Sequence, residues 1–112
     1  MFHYQTPEEL KNAAEAVGAP LPLTDDLSIL QEKLTFGKHE MHNRIVIQPM
    51  EGCDGTADGA PGELTIRRYD KFARSGAGLI WVEACAVLPE GRANPRQLWL
   101  TEDNLGEYKK LT

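Results

Sequence analysis

The acidic residues best spaced for chemistry lie in a glycine-rich loop. Residues 54–59 read Asp-Gly-Thr-Ala-Asp-Gly, which resembles the first half of a calcium loop: oxygen ligands alternate and glycine is sixth. The twelfth position should be a bidentate glutamate, but it is Thr65. The segment also follows a strand-like run rather than a helical one. These two departures argue against calcium binding.

Histidine and cysteine are the other residue types that could bind a metal or act as nucleophiles. His39 and His42 have helical spacing, but the local pattern is not helical and no further ligands complete a site. We interpret both as solvated turn residues and predict no metal site. Cys53 lies in the flexible loop as a candidate reactive thiol. Cys85 lies in an apolar run, which favours a small buried side chain.

The glycines do not match the common nucleotide-binding patterns. Residues 76–78, Gly-Ala-Gly, precede a strand, whereas the dinucleotide fingerprint needs glycines between strand and helix. The phosphate-binding Gly-Lys-Ser/Thr sequence is absent. Residues 51–62 can instead form a loop at the carboxyl end of a strand, where α/β barrels bind ligands. Motif chemistry alone favours the simpler alternative, in which these glycines only make turns.

Two apolar runs predict the strands that would position this loop. Residues 44–50 contain consecutive β-branched residues, and residues 79–87 are similar, which is typical of strands buried on both faces. A helix is predicted at 64–75. Its apolar face would contain Ile66, Tyr69, Phe72 and Ala73, and its solvent face Arg67, Arg68, Asp70, Lys71 and Arg74. Strand, helix and strand make a parallel βαβ unit.

Residues 1–22 are predicted to form a short helix and a proline-rich connector. Thr6 can cap the helix, Pro7 suits its first position and Glu9 completes a capping box. Gly18 is a natural terminator.

Residues 23–43 are predicted to contain a helical turn and a small hairpin. The hairpin would run from 34–36 through a turn at 38–40 and return at 41–43. After a second loop, Thr101 is predicted to cap a last helix that uses Leu105, Tyr108 and Leu111.

The bulk properties exclude several classes of protein. The 112 residues are too few for a complete eight-stranded barrel, which takes about 250. A net charge of −5 argues against a nucleic-acid partner, and no apolar run reaches the roughly 20 residues of a membrane helix. Residues 1–5 lack the features of a signal peptide, and two cysteines suggest reduced thiols. We therefore expect a cytoplasmic location.

Several segments, in order, resemble the old yellow enzyme family of FMN-dependent oxidoreductases. Residues 43–50, Asn-Arg-Ile-Val-Ile-Gln-Pro-Met, look like the family's first barrel strand. The hairpin fits the lid over the barrel's N-terminal end. The further matching segments are 62–65 with Tyr69, 76–84, 89–92 and 98–103. The resemblance spans about residues 30–112.

The resemblance implies that residues 44–112 are the first two βα units of a truncated FMN-binding (β/α)8 TIM barrel. Residues 1–22 and 23–43 would precede it as the helix with its connector and as the lid. Such enzymes take hydride from NAD(P)H and pass it through FMN to an activated alkene or similar acceptor. Pro49, Met50 and Glu51 would lie along the flavin, and Ala84 near it.

Two positions near the implied flavin are unusual. Many family members have threonine or cysteine where this chain has Glu51, and an ionised carboxylate cannot donate a hydrogen bond to the flavin. Glu51 would be held neutral by burial, point toward the substrate or a basic partner, or simply face solvent. We hypothesise that it tunes the flavin. Cys53 occupies a position where some relatives place a substrate-facing group.

The resemblance assigns no catalytic residue to these 112 residues. The family's substrate-anchoring pair, proton donor and flavin phosphate site lie on later strands. We therefore expect a fragment that needs the remainder of the barrel, takes a small-molecule substrate and is compatible with a homo-oligomer. The alternatives are a non-catalytic truncated or partner-completed half-barrel, and an α/β barrel of different chemistry.

Overall fold

The computed structural model describes residues 3–112; residues 1 and 2, the start of the predicted N-terminal segment, lie outside the described residues. Helix α1 spans Pro7–Ala16. Thr6 Oγ1 accepts a hydrogen bond from the Glu9 N–H at 3.2 Å, which confirms the predicted cap. The Glu9 carboxylate accepts the N–H of Gln5, one residue before the cap, at 2.8 Å.

The hairpin forms, but it turns earlier than predicted. After a 3₁₀ turn at Ser28–Gln31, strand β1 (Leu34–Phe36) pairs antiparallel with β2 (His39–Met41). Gly37 has a φ of 57°, which suits a two-residue turn made of Gly37 and Lys38. The predicted turn at 38–40 and returning strand at 41–43 are therefore wrong, and His39 lies in a strand.

The predicted parallel βαβ unit is confirmed. Strand β3 (Val46–Ile47) pairs in parallel with β4 (Leu79–Ile80), and helix α2 (Glu63–Ala73) connects them. The Trp81 N–H extends the ladder to the Ile47 carbonyl at 3.0 Å. Both strands are shorter than the apolar runs that predicted them.

Short elements complete the chain after β4. A 3₁₀ turn spans Pro89–Gly91, and a parallel bridge joins Ala86 to Trp99. Helix α3 covers only Leu105–Tyr108. Thr101 and Asn104 precede it and exchange hydrogen bonds between backbone N–H and side-chain oxygen at 2.9 and 3.3 Å.

Asn43 fastens the amino ends of the parallel strands. Its Oδ1 accepts the N–H groups of Ile45 at 3.0 Å and Gly78 at 2.8 Å, and its Nδ2 donates to the Gly76 carbonyl at 2.6 Å. His42 Nε2 lies 3.1 Å from the same carbonyl, so this exposed histidine has a structural contact as well as solvent. One short polar segment thus holds both strand starts together.

Burial is concentrated in the second half of the chain. The side chains of Leu98 and Thr65 are fully buried, and Ala60, Tyr69 and Ala86 are also buried. Val46 and Ile47 are only half-buried, so the described residues do not bury these strands on both faces. The radius of gyration, 19.6 Å, exceeds the roughly 13 Å of a compact domain of this length.

Residues 3–112 contain no helix that is both long enough and apolar enough to cross a membrane.

Candidate functional site

The carboxyl ends of β3 and β4 lie side by side, because the strands are parallel neighbours. Pro49, Met50 and Glu51 lie just beyond the end of β3 and are exposed, and Ala84 lies four residues beyond the end of β4 and is also exposed. The Gly52 N–H donates to a carboxylate oxygen of Glu83 at 3.0 Å. The residues adjoining Glu51 and Ala84 are therefore joined.

Behind this edge lies a group of four polar side chains, the Arg68 cluster, which comprises Asp54, Arg68, Tyr69 and Glu83. Arg68 donates two hydrogen bonds to Asp54, at 2.9 and 3.1 Å, and one to Glu83 at 2.5 Å. Asp54 also accepts a hydrogen bond from the buried Thr65 hydroxyl at 2.7 Å. The cluster links the loop after β3, helix α2 and the end of β4.

Glu83 is the most buried member of the Arg68 cluster, with 1% of its side chain exposed. One of its carboxylate oxygens accepts from Arg68 and the other from the Gly52 N–H. The Tyr69 hydroxyl accepts the Glu83 N–H at 2.9 Å and donates back to the carboxylate at 3.3 Å. A buried charge needs this degree of pairing to be tolerated.

The sequence prediction was wrong about Arg68, which it placed on the solvent face of the helix with Arg67. Arg68 is one position from Tyr69 and three from Thr65, and both of these are buried. Its guanidinium therefore turns inward to the two carboxylates, with 22% of its side chain exposed. A lone glutamate within the apolar run 79–87 is the sequence signal that could have revealed a buried cationic partner.

The charges of the Arg68 cluster stabilise one another. Hydrogen bonds from Arg68 lower the pKa of Asp54, although burial opposes this effect. Its hydrogen bonds to Asp54, and then to Glu83, raise the pKa of Arg68. Burial raises the pKa of the Tyr69 hydroxyl, which therefore stays protonated and able to donate.

Asp54 should make stability depend on pH in the acid range. Its folded-state pKa lies below the ordinary value of 3.8, so its contribution is complete above that value and is lost as pH falls through the folded-state pKa. We expect the free energy of unfolding to fall less steeply for Asp54→Asn than for the wild type between about pH 5 and pH 2.5. Urea unfolding across this range tests it. Asp103→Asn, at an exposed position, is the control, and equal slopes for all three proteins would contradict the prediction.

The two loop carboxylates, Asp54 and Asp58, are both engaged with neighbouring side chains. Asp54 is occupied by Arg68 and Thr65, while Asp58 accepts a hydrogen bond from the Thr56 hydroxyl at 2.5 Å. No group of three or more histidine, cysteine, aspartate or glutamate side chains within residues 3–112 is arranged to hold a metal.

Residues from the loop 92–97 contact Glu51 and Cys53, the two positions at which the sequence is unusual near the implied flavin. Gln97 is buried; its Nε2 donates to Glu51 Oε1 at 3.3 Å, and its own Oε1 accepts the Ala93 N–H at 2.6 Å. Asn94 Nδ2 lies 3.2 Å from Cys53 Sγ. Glu51 is exposed, so residues 3–112 do not bury its carboxylate.

The two cysteines should differ in reactivity. Cys53 is exposed, whereas Cys85 is half-buried and burial raises the pKa of its thiol. Because the thiolate is the nucleophile, we expect iodoacetamide at neutral pH to alkylate Cys53 at least about tenfold faster. Peptide mass spectrometry over time measures both rates, and urea-unfolded protein is the control. Equal rates in the folded protein would contradict the prediction.

Comparison with known proteins gives structural matches. No model of a known protein family matches the sequence. The structure of the old yellow enzyme from Trypanosoma cruzi superposes with a TM-score of 0.65 and 28% identity, covering 75% of this chain and 22% of that one. Morphinone reductase in complex with tetrahydroNAD gives 0.63 and 26%, covering 73% and 22%.

The chain therefore spans about 22% of the length of these solved structures. Both are oxidoreductases, and this chain resembles them in sequence as well as in fold, at 28% and 26% identity. In fold and in sequence, the chain is similar to a segment of the old yellow enzyme family of flavin-dependent oxidoreductases.

Proposed function

We propose that this chain is the N-terminal part of an FMN-dependent oxidoreductase that uses NAD(P)H to reduce an activated alkene or a similar small-molecule acceptor. The observation that carries the proposal is the structural match of about three quarters of the chain to two oxidoreductases, at 28% and 26% identity. The parallel βαβ unit, with its two strand ends side by side, supports the same proposal. In such an enzyme FMN supplies the hydride-transfer chemistry.

The residues at the strand ends fit a flat, partly polar ring system. The Met50 side chain is 73% exposed, so an apolar group is available to cover a ring. The backbone N–H groups of Met50, Glu51 and Ala84 have no hydrogen-bond partner among residues 3–112, and their residues are exposed. Donors of this kind can bind ring heteroatoms and tune a flavin. We propose that Pro49, Met50, Glu51 and Ala84 contact FMN.

We propose further that Glu51 tunes the flavin and that Cys53 faces the substrate. Their contacts with Gln97 and Asn94 support both roles, because these contacts orient the two side chains from the neighbouring loop. A negative charge at Glu51 would disfavour an anionic reduced flavin, so its placement would lower the reduction potential.

The proposal includes completion of the barrel by further strands. The incomplete burial of β3 and β4 and the large radius of gyration support it, because parallel strands are normally covered on both faces. The same proposal includes a lid role for the hairpin, a cytoplasmic location and compatibility with a homo-oligomer.

Flavin content tests the proposed function. The 112-residue chain and the longest protein encoded in its reading frame are purified and scanned for flavin absorbance, then assayed for NAD(P)H oxidation. We expect about one FMN per molecule and activity in a protein that completes the barrel, and neither in the short chain. A complete barrel without FMN would favour different chemistry, and a frame that ends at residue 112 would favour a non-catalytic half-barrel.

A further inference from the structure

We propose that Arg68 is a positioning residue that fixes the flavin-facing segment 50–54, an inference that rests on the proposed function. Arg68 lies outside the set of residues proposed to contact FMN. It acts on them through the backbone of the segment and through the carboxylates of Asp54 and Glu83.

The segment is held at both ends and in the middle. Arg68 Nη1 donates to the Met50 carbonyl at 3.4 Å, and the same guanidinium binds Asp54 through two nitrogens. Between them, the Gly52 N–H is held by Glu83, which Arg68 also binds. All three attachments therefore pass through one guanidinium or its partner carboxylate.

Gly52 shows how closely the guanidinium approaches the backbone. A Cβ at this position would lie 2.5 Å from Arg68 Cζ and 2.7 Å from an Asp54 carboxylate oxygen. Any larger residue would push the guanidinium away from the segment. The missing side chain of Gly52 therefore leaves the room that the planar guanidinium of Arg68 occupies.

The orientation of the free N–H groups depends on this arrangement. Met50 and Glu51 adjoin the three attachments, and their exposed N–H groups keep one direction only if the segment is fixed. Removing the guanidinium also leaves the carboxylates of Asp54 and Glu83 without their cationic partner, next to the residues proposed to contact FMN. Both effects should weaken FMN binding and alter the flavin's surroundings.

Arg67 provides a matched control for Arg68. It is the adjacent residue of α2 and is exposed, and its side chain makes no hydrogen bond or ion pair within residues 3–112. Arg67→Gln and Arg68→Gln therefore remove the same charge from neighbouring positions. Arg68→Lys keeps the charge but loses the fork, and it replaces Arg68→Gln if that variant does not fold.

The experiment measures the FMN dissociation constant, the flavin visible circular dichroism and the amide hydrogen exchange of Gly52 in the FMN-free protein. The protein used is the complete protein encoded by the reading frame. For Arg68→Gln we expect at least a tenfold rise in the dissociation constant, a changed dichroism spectrum and at least tenfold faster exchange. Arg68→Lys should lie between, and Arg67→Gln should match the wild type within twofold.

Two outcomes separate the two proposals. If the wild type binds FMN and the Arg68 variants match Arg67→Gln in all three measurements, the positioning role is overturned. If the wild type binds no FMN, the proposed function fails, and Gly52 exchange alone decides whether Arg68 fixes the segment.

Discussion

Replacing Glu83 with alanine should lower the free energy of unfolding by about 3–5 kcal/mol. Its carboxylate is buried and accepts hydrogen bonds from Arg68, Tyr69 and the Gly52 N–H. The substitution removes this acceptor from the Tyr69 hydroxyl and the Gly52 N–H, and it leaves Arg68 with Asp54 as its remaining carboxylate partner. Urea unfolding of the purified wild-type and variant proteins, monitored by tryptophan fluorescence, measures the change.

Two further variants make the Glu83 result specific. Glu90→Ala removes an exposed carboxylate and should change stability by less than about 0.5 kcal/mol. Glu83→Gln keeps the shape and one acceptor, so its loss should be smaller than that of Glu83→Ala. A loss below about 1 kcal/mol for Glu83→Ala would mean that the Arg68 cluster contributes little net stability.

Leu98→Ala should cost about 2–5 kcal/mol, the other large effect expected in this chain. Leu98 is fully buried, and its carbonyl accepts the Ala86 N–H at 2.8 Å. Its Cδ2 would lie only 3.1 Å from a Cβ at Gly55, so the loop packs tightly against it. Truncation would remove apolar contacts and leave a cavity between the loop and the segment that follows β4.

Leu100→Ala is the matched control for this substitution. It removes the same atoms two residues away, where the side chain is 48% exposed. Chemical unfolding of both variants should show a much larger decrease in stability at Leu98. Similar decreases would indicate that the interior around Leu98 collapses to fill the space or that Leu100 is covered in solution.

The backbone plan was predictable from the sequence because it depends on local patterns. Two apolar runs around an amphipathic segment predicted the parallel unit, and Thr6 and Pro7 predicted the start of α1. The hairpin turn was predicted too late in the chain. The second strand begins at His39 because Gly37 adopts a positive φ, which makes a two-residue turn. A glycine permits that conformation without requiring it.

The polar interior was not predictable in the same way. Arg67 and Arg68 are identical, adjacent residues, and the difference between them arises from which side of α2 faces the strand ends. Asp54 was considered as a calcium ligand and rejected, but its pairing with Arg68 was not predicted, because the two residues lie fourteen positions apart. Side-chain pairing across segments is a tertiary property, and a lone glutamate such as Glu83 within an apolar run indicates that a partner is needed without identifying it.

The contacts at the two ends of the parallel strands also bear on the order in which the chain folds. Asn43 reaches Gly78 across 35 residues, and Gly52 reaches Glu83 across 31, with only two paired positions between. Closing a loop of this length costs about 3 kcal/mol of chain entropy before any contact compensates for it. Once one end is joined, the other is already near its partner. We therefore expect α2 and the hairpin to form early, and the edge that carries the proposed flavin contacts to assemble late and in a single step.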